Sequence, residues 1–107
     1  MGRSADSLRK DWHNWLKHER RASPNTLRAY GDDVSRFLAF QQDHLGGAVN
    51  EKQLATLKTA DIRAFIAARR GQGLGGGGVQ RALAAVRSFY RYLARENILE
   101  NAAPRAR

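Results

Sequence analysis

Residues 79–95 read VQRALAAVRSFYRYLAR. Apolar side chains recur in this stretch at the three- and four-residue spacing of one helix face, namely Val79, Leu83, Val86, Phe89, Tyr90 and Leu93. No glycine or proline interrupts them. The stretch therefore predicts a long amphipathic helix with an apolar face toward a core and an outer face of different chemistry.

The outer face of this helix is basic. At about 100° per residue, the side opposite the apolar stripe carries Arg81, Ala84, Ser88, Arg91 and Arg95, with Arg87 on its flank. Glu96 is the only nearby acid, so we expect four arginines without an acidic partner. Arginine binds phosphates or guanine edges, a serine hydroxyl bonds a phosphate, and alanine permits close approach. We favour a DNA-binding face over the alternative, a solvated basic surface.

Three further helices are predicted before it. The first covers about residues 4–20, with its stripe at Leu8, Trp12, Trp15 and Leu16. The second starts at Ser23-Pro24, because serine is a good N-cap and proline suits the first helical position. Its stripe comprises Leu27, Tyr30, Val34, Phe37, Leu38 and Leu45, and Gly46-Gly47 ends it.

A third helix is expected from an N-cap at Thr59, with Asp61 in its first turn, to Gly71. Its stripe is Ile62, Phe65 and Ile66. Residues 48–58 show no period, and we expect Leu54 and Leu57 to hold this connection to the core. The run 75–78, four consecutive glycines, predicts a flexible hairpin before the last helix.

The start of the second helix is a candidate phosphate site. Its free backbone N–H groups and positive dipole end lie beside the Thr26 hydroxyl and Arg28. The rest of the outward face mixes charges, since Asn25, Arg28, Asp32 and Arg36 share it, and is typical of solvated surface.

Composition narrows the class of protein. A chain of 107 residues fits one domain, and no period-two stretch predicts a strand, so we expect an all-α bundle. Nineteen Lys and Arg against ten Asp and Glu give a net charge of +9, which favours an anionic partner. There is no cysteine and no apolar run long enough for a signal peptide or membrane span. We expect a cytoplasmic protein that does not bind a membrane.

Other patterns are discounted. Residues 71–76 match the G-x-G-x-x-G dinucleotide motif, but they follow a predicted helix instead of a strand. His13, His18 and His44 lack metal-ligand spacing, and the neighbouring Asp32 and Asp33 point about 100° apart on a helix. No nucleophile, base and oxyanion donor come together. We predict no catalysis, cofactor or metal for this chain.

Two motifs resemble a known family. Residues 23–30, SPNTLRAY, with 37–40, FLAF, resemble the opening of the core-binding domain of tyrosine recombinases. Residues 81–93 resemble that family's Arg-x-Leu-Ser-Ala-x-Arg-x-Phe-x-x-Tyr-Leu pattern. The Xer-like branch of the phage-integrase family is the most similar, and the resemblance extends from about Leu8 to Asn101.

The resemblance implies a four-helix SAM-like core-binding domain made of two crossed helical hairpins. The second and fourth helices would face the DNA major groove, with Thr26, Arg81 and Arg87 as the firmest matches. It also implies that residues 1–107 are one part of a longer recombinase whose catalytic residues lie in a separate C-terminal domain. The partners would be double-stranded DNA and other recombinase subunits in a tetramer; alone, we expect a monomer.

Three positions depart from the family pattern. Gly78 and Ala84 stand where the family usually has serine, and Ala102 stands where proline is usual. The first two remove hydroxyl groups, and the glycine weakens the cap of the last helix. An alternative function is a helical protein–protein module that meets an acidic partner, with Trp12 and Trp15 as anchors.

Overall fold

A computed structural model describes residues 2–105, and these form an all-α domain. The helices are α1 (Ala5–His18), α2 (Pro24–Leu45), α3 (Glu51–Thr56), α4 (Thr59–Gly71) and α5 (Gly76–Arg95), followed by a 3-10 turn at Ala103–Arg105. The only β-type pairing within residues 2–105 is an isolated bridge between Ser4 and Asn50. Over the same residues, no helix has both the length and the apolar character to cross a membrane. The predicted fold class is confirmed, and α3 and the 3-10 turn add to the four predicted helices.

The first two helices begin at serine N-caps, of which Ser23 was predicted. The Ser4 hydroxyl accepts from the Ser7 N–H at 3.1 Å, and the Ser23 hydroxyl accepts from the Thr26 N–H at 3.2 Å. Gly46, with φ of 77°, ends α2 in the left-handed conformation. Leu45 was wrongly assigned to the core, since it is 43% exposed. Residues 42–48 are all exposed, so the last turn of α2 projects past the core.

The short helix α3 is built by reciprocal capping. The Asn50 side chain accepts from the Lys52 N–H, while the Gln53 side chain accepts from the Asn50 N–H, both at 3.0 Å. Leu54 and Leu57 are buried, as predicted. Six residues are too few to show a helical period, which explains why the sequence pattern missed this helix.

The core surrounds α5, which contacts α1, α2, α4 and the 3-10 turn. Its buried face is wider than the predicted stripe: Ala82, Ala85 and Tyr92 are buried as well, whereas Leu83 is only partly covered. Aromatic edges fill the centre, with the Trp12 and Phe89 ring centroids 5.5 Å apart. The buried face of α5 is wide because other elements pack against the helix on several sides rather than on one.

Glycine allows α1 to approach α2 closely. A Cβ on Gly31 would lie 3.0 Å from the His13 Nε2, and this nitrogen is itself 2.8 Å from the Leu27 carbonyl oxygen. A larger residue at position 31 would push the imidazole away from that carbonyl. His13 is accordingly only partly exposed, between α1 and α2.

The glycine run is not the predicted hairpin. Gly75 is the N-cap of α5, and Gly76, Gly77 and Gly78 form its first turn. The connection from α4 is thus only residues 72–75, with Gly73 at φ of 95°. A Cβ on Gly78 would overlap the Leu74 side chain, so a larger residue at position 78 would require that leucine to move.

The start of α4 lies one residue earlier than predicted, since Lys58 is the N-cap and Thr59 is already helical. The Asp61 carboxylate accepts from the Lys58 N–H at 2.8 Å, and its other oxygen is 2.9 Å from the His44 Nε2. The hydrogen bond from Lys58 is the main cause that lowers the pKa of Asp61 below its usual value. The carboxylate therefore joins the end of α2 to the beginning of α4.

Asp61→Asn should reduce stability by about 1 kcal/mol near pH 7, since it removes the charge from a helix cap. Because folding lowers the pKa of Asp61, the stabilisation by its carboxylate is present above the ordinary pKa and is lost as pH falls through the folded-state value. The difference in Tm between wild type and variant should therefore shrink below about pH 4. A difference that stays constant from pH 7 to pH 2.5 would contradict this role.

Candidate nucleic-acid interface

An open groove runs between α1, α2 and α5, and basic and polar side chains line it. The lining residues are Trp15, Leu16, Arg20, Ala22, Thr26, Tyr30, Ala84, Arg87, Ser88 and Arg91. We call it the basic groove; none of these residues is acidic. Four predicted site residues meet here, one from the start of α2 and three from α5, although up to 65 positions separate them in the sequence.

Three predicted site residues do not line the basic groove. Arg28 is exposed near the start of α2 and donates to the Asn25 side chain at 2.7 Å. The Arg95 guanidinium lies over the Trp15 ring, 5.4 Å from its centroid. The Arg95 Nε is also 4.0 Å from the Glu96 carboxylate, at the surface.

Arg81 has an acidic partner, which corrects the prediction of four unpaired arginines. Its Nε and Nη2 donate to the two carboxylate oxygens of Asp33 at 2.8 and 3.1 Å. The Asp33 side chain is completely buried, whereas that of Arg81 is 43% exposed. The bond to Asp33 raises the pKa of Arg81. Asp32 and Asp33 thus differ: Asp32 faces solvent, and Asp33 faces α5.

Arg87 is held by a hydrogen bond to the 3-10 turn that follows α5. Its Nε donates to the Pro104 carbonyl oxygen at 2.9 Å, and Pro104 is buried. The segment before Pro104 is fixed by Asn101, whose Nδ2 donates to the carbonyls of Leu54 and Leu57 at 3.1 and 2.8 Å. The Arg87 Nη groups have no hydrogen-bond partner within residues 2–105.

Arg91 differs from its neighbours. It is exposed and has no hydrogen-bond or ion-pair partner among residues 2–105. Its guanidinium can therefore bind an anion without giving up an internal contact. Of the four arginines predicted on and beside the outer face of α5, Arg87 and Arg91 have no acidic partner within residues 2–105, and Arg91 has no hydrogen bond there either.

Ser88 has a structural bond as well as a place in the basic groove. Its hydroxyl oxygen accepts from the indole N–H of Trp12 at 3.2 Å. Trp12 is fully buried, so this bond satisfies a donor that water does not reach. The Ser88 hydroxyl hydrogen remains free to donate to an anion.

Sequence reasoning missed Arg20 and Tyr30 as groove residues. Arg20 was placed in the last turn of the first helix, but α1 ends at His18. Arg21 has a φ of 50°, and the Ala22 N–H donates to the Leu16 carbonyl at 3.0 Å, so the chain folds back over the end of α1. No glycine marks this turn, which left it without a sequence signal.

The alternative protein-binding module loses one of its two proposed anchors. Trp12 is completely buried against Phe89 and is wrong as an exposed anchor. Trp15 is partly buried and is covered by Arg20 and Arg95 of the same chain. Among residues 2–105, no group of three histidine, cysteine or acidic side chains is arranged to hold a metal ion.

Comparison with known proteins shows the family. Residues 10–97 match the phage integrase N-terminal SAM-like domain, so the chain belongs to this family. Tyrosine recombinase XerC of Bradyrhizobium diazoefficiens is 46% identical over 97 residues, covering 87% of this chain and 30% of the relative. XerC of Methylobacterium nodulans is 51% identical over 88 residues, covering 79% and 26%. XerC of Mesorhizobium japonicum is 41% identical over 100 residues, covering 94% and 32%.

The chain spans about a third or less of the length of these relatives. No solved structure matches it. The family resemblance drawn from residues 23–30 and 81–93 is thus confirmed, as is the SAM-like class of the fold.

Arg81→Ala should lower the free energy of unfolding by roughly 3 kcal/mol, because it leaves the Asp33 carboxylate buried without its cation. We take the lower end of the range for buried pairs, since the Arg81 side chain is partly exposed. Urea unfolding followed by circular dichroism measures the change. The double variant Arg81→Ala/Asp33→Asn should recover part of the loss, and an unchanged urea midpoint for Arg81→Ala alone would show that the pair is not structural.

Ser88→Ala should destabilise the domain by about 1 to 3 kcal/mol, since the buried indole N–H of Trp12 loses its acceptor. Ser88→Thr should keep most of the stability. Ser35→Ala on the exposed face of α2 is the matched control for helix propensity. Equal urea midpoints for Ser88→Ala and Ser35→Ala would rule out a stabilising bond between Ser88 and Trp12.

Proposed function

We propose that this chain is the DNA-binding arm of a site-specific tyrosine recombinase and grips one side of the core recombination site. The observation that carries the proposal is the basic groove, where Thr26 of α2 meets Arg87, Ser88 and Arg91 of α5 with no acid in the lining. Membership of the phage integrase N-terminal family supports it. A separate domain would cut and rejoin the strands, and the protein would work in the cytoplasm.

The two sides of the basic groove would hold the DNA backbone in different ways. In the first turn of α2, Ser23 accepts from the Thr26 and Leu27 N–H groups, and Pro24 has none. The Asn25 N–H, the positive end of the helix dipole and the Thr26 hydroxyl would remain for a phosphate. Across from it, Arg87 and Arg91 bring charge that attracts a second phosphate or a guanine edge. Ala84, which precedes Arg87 in α5, is small and partly buried, so it allows α5 to approach the duplex closely.

The predicted residues outside the basic groove would extend this interface. Arg28 is exposed beside the start of α2, and Arg95 is exposed at the end of α5. Arg81 uses two of its N–H groups on Asp33, which leaves others toward solvent for a phosphate. Further recombinase subunits would bind the paired site to complete a tetramer, while the isolated chain would be a monomer.

Arg91→Gln should weaken binding to a 30-base-pair duplex several-fold. Because one phosphate contact is lost, the salt slope, meaning the magnitude of the slope of log K against log salt concentration, should fall by about 1. Because Arg91 has no partner among the described residues, the Tm of the Arg91→Gln variant should equal that of the wild type. Arg70→Gln on α4 is the matched control: it removes an exposed arginine from a helix that does not line the basic groove. Fluorescence anisotropy at several salt concentrations measures both variants.

Two outcomes would contradict the proposal. The first is that the wild-type protein does not bind duplex DNA even at low salt. Equal losses of affinity and of salt slope in Arg91→Gln and Arg70→Gln would mean that the basic groove is no more important than the rest of the charged surface.

A further inference from the structure

Two arginines that come from different parts of the chain lie over the Trp15 ring. The Cζ of Arg20, just after α1, is 5.7 Å from the centroid of this ring, and the Cζ of Arg95, at the end of α5, is 5.4 Å away. We propose that Trp15 is a positioning residue for DNA binding, which holds the guanidinium group of Arg20 in the basic groove and that of Arg95 next to the groove so that both engage phosphates. This inference rests on the proposed function.

The indole ring of Trp15 is itself held by its faces and edges. The Tyr92 ring packs against it with centroids 5.3 Å apart and a tilt of 44°. The indole N–H is buried and has no hydrogen-bond partner within the described residues, so polar bonds do not fix the ring. The ring packs against Tyr92 of α5, which fixes its location. A ring fixed in this way acts as a platform rather than as a hydrogen-bonding group.

The turn after α1 brings Arg20 onto this platform. The N–H groups of Glu19 and Arg20 both donate to the Trp15 carbonyl, at 2.8 and 3.2 Å. Arg21 adopts a left-handed conformation with φ of 50°, which reverses the chain direction. The backbone turn therefore brings Arg20 close to the ring, and the contact with the indole holds its guanidinium group there without an acid.

The charges of Arg20 and Arg95 make the two guanidinium groups suitable for binding an anion. Two guanidinium groups near one ring repel each other, and the nearest acid to either is Glu96, 4.0 Å from the Arg95 Nε at an exposed position. A cation over an aromatic face leaves its N–H edges free for hydrogen bonds. A phosphate at the outer edges of these groups would relieve the repulsion and accept those bonds.

The test compares neutral and charged substitutions in the same DNA-binding assay. Arg20→Gln and Arg95→Gln should each weaken duplex binding several-fold and lower the salt slope by about 1. Trp15→Leu removes no charge, yet it should lower the slope by more than either arginine variant, because both guanidinium groups lose their positions. In the Trp15→Leu background, Arg95→Gln should have little further effect. Trp15→Phe keeps an aromatic face, so this variant should retain most of the wild-type salt slope.

A purely structural role for Trp15 would lower the Tm and leave the salt slope unchanged, and this result would overturn the inference. It would also be overturned if Arg20→Gln and Arg95→Gln keep the wild-type slope while Arg91→Gln reduces it; the proposed function would then stand. Loss of binding in the wild type would instead reject the proposed function. If Trp15→Leu does not fold, the Arg20→Lys/Arg95→Lys variant keeps both charges without planar stacking. Its slope should fall, and an unchanged slope would overturn the inference.

Discussion

The buried carboxylate of Asp33 is the constraint on which the arrangement of α2 and α5 depends. It has no exposure to water, so it requires a cation, and Arg81 provides one through two hydrogen bonds. The pair fixes the position of the first half of α5 along α2. Because Thr26 and Tyr30 lie on α2 and Arg87, Ser88 and Arg91 on α5, the same pair sets the shape of the basic groove between them.

Several groove residues have a structural contact and an open surface at the same time. Ser88 accepts from Trp12 and keeps a hydroxyl hydrogen, and Arg87 uses Nε on the Pro104 carbonyl and keeps its Nη groups. A planar guanidinium suits this double use, since its N–H groups point in fixed and different directions. Stability and binding are therefore coupled at these positions, whereas at Arg91 they are separate.

The sequence predicted most of the long helices because caps and periodic apolar residues are local signals. Ser4, Ser23 and Gly46 mark the ends where they were expected. The partners of the arginines were not predicted, because Asp33 lies 48 residues from Arg81 and the partner of Arg87 is a backbone carbonyl without a side-chain signal. The tight turn at Arg21 was missed because arginine rarely adopts a positive φ. The basic face was thus visible in the sequence, but not which of its charges are already in use.

The three glycines in the first turn of α5 give this helix uneven local stability. Each costs about 0.5 to 1 kcal/mol relative to alanine, and Gly75 provides no side-chain cap. This turn should open far more often than the remainder of the domain, with fast amide hydrogen exchange. Residues 87–93 lie three turns further on, against the core, and should exchange only when the whole domain unfolds. The helix that forms one wall of the basic groove therefore frays at a distance from the groove, and the groove itself stays rigid.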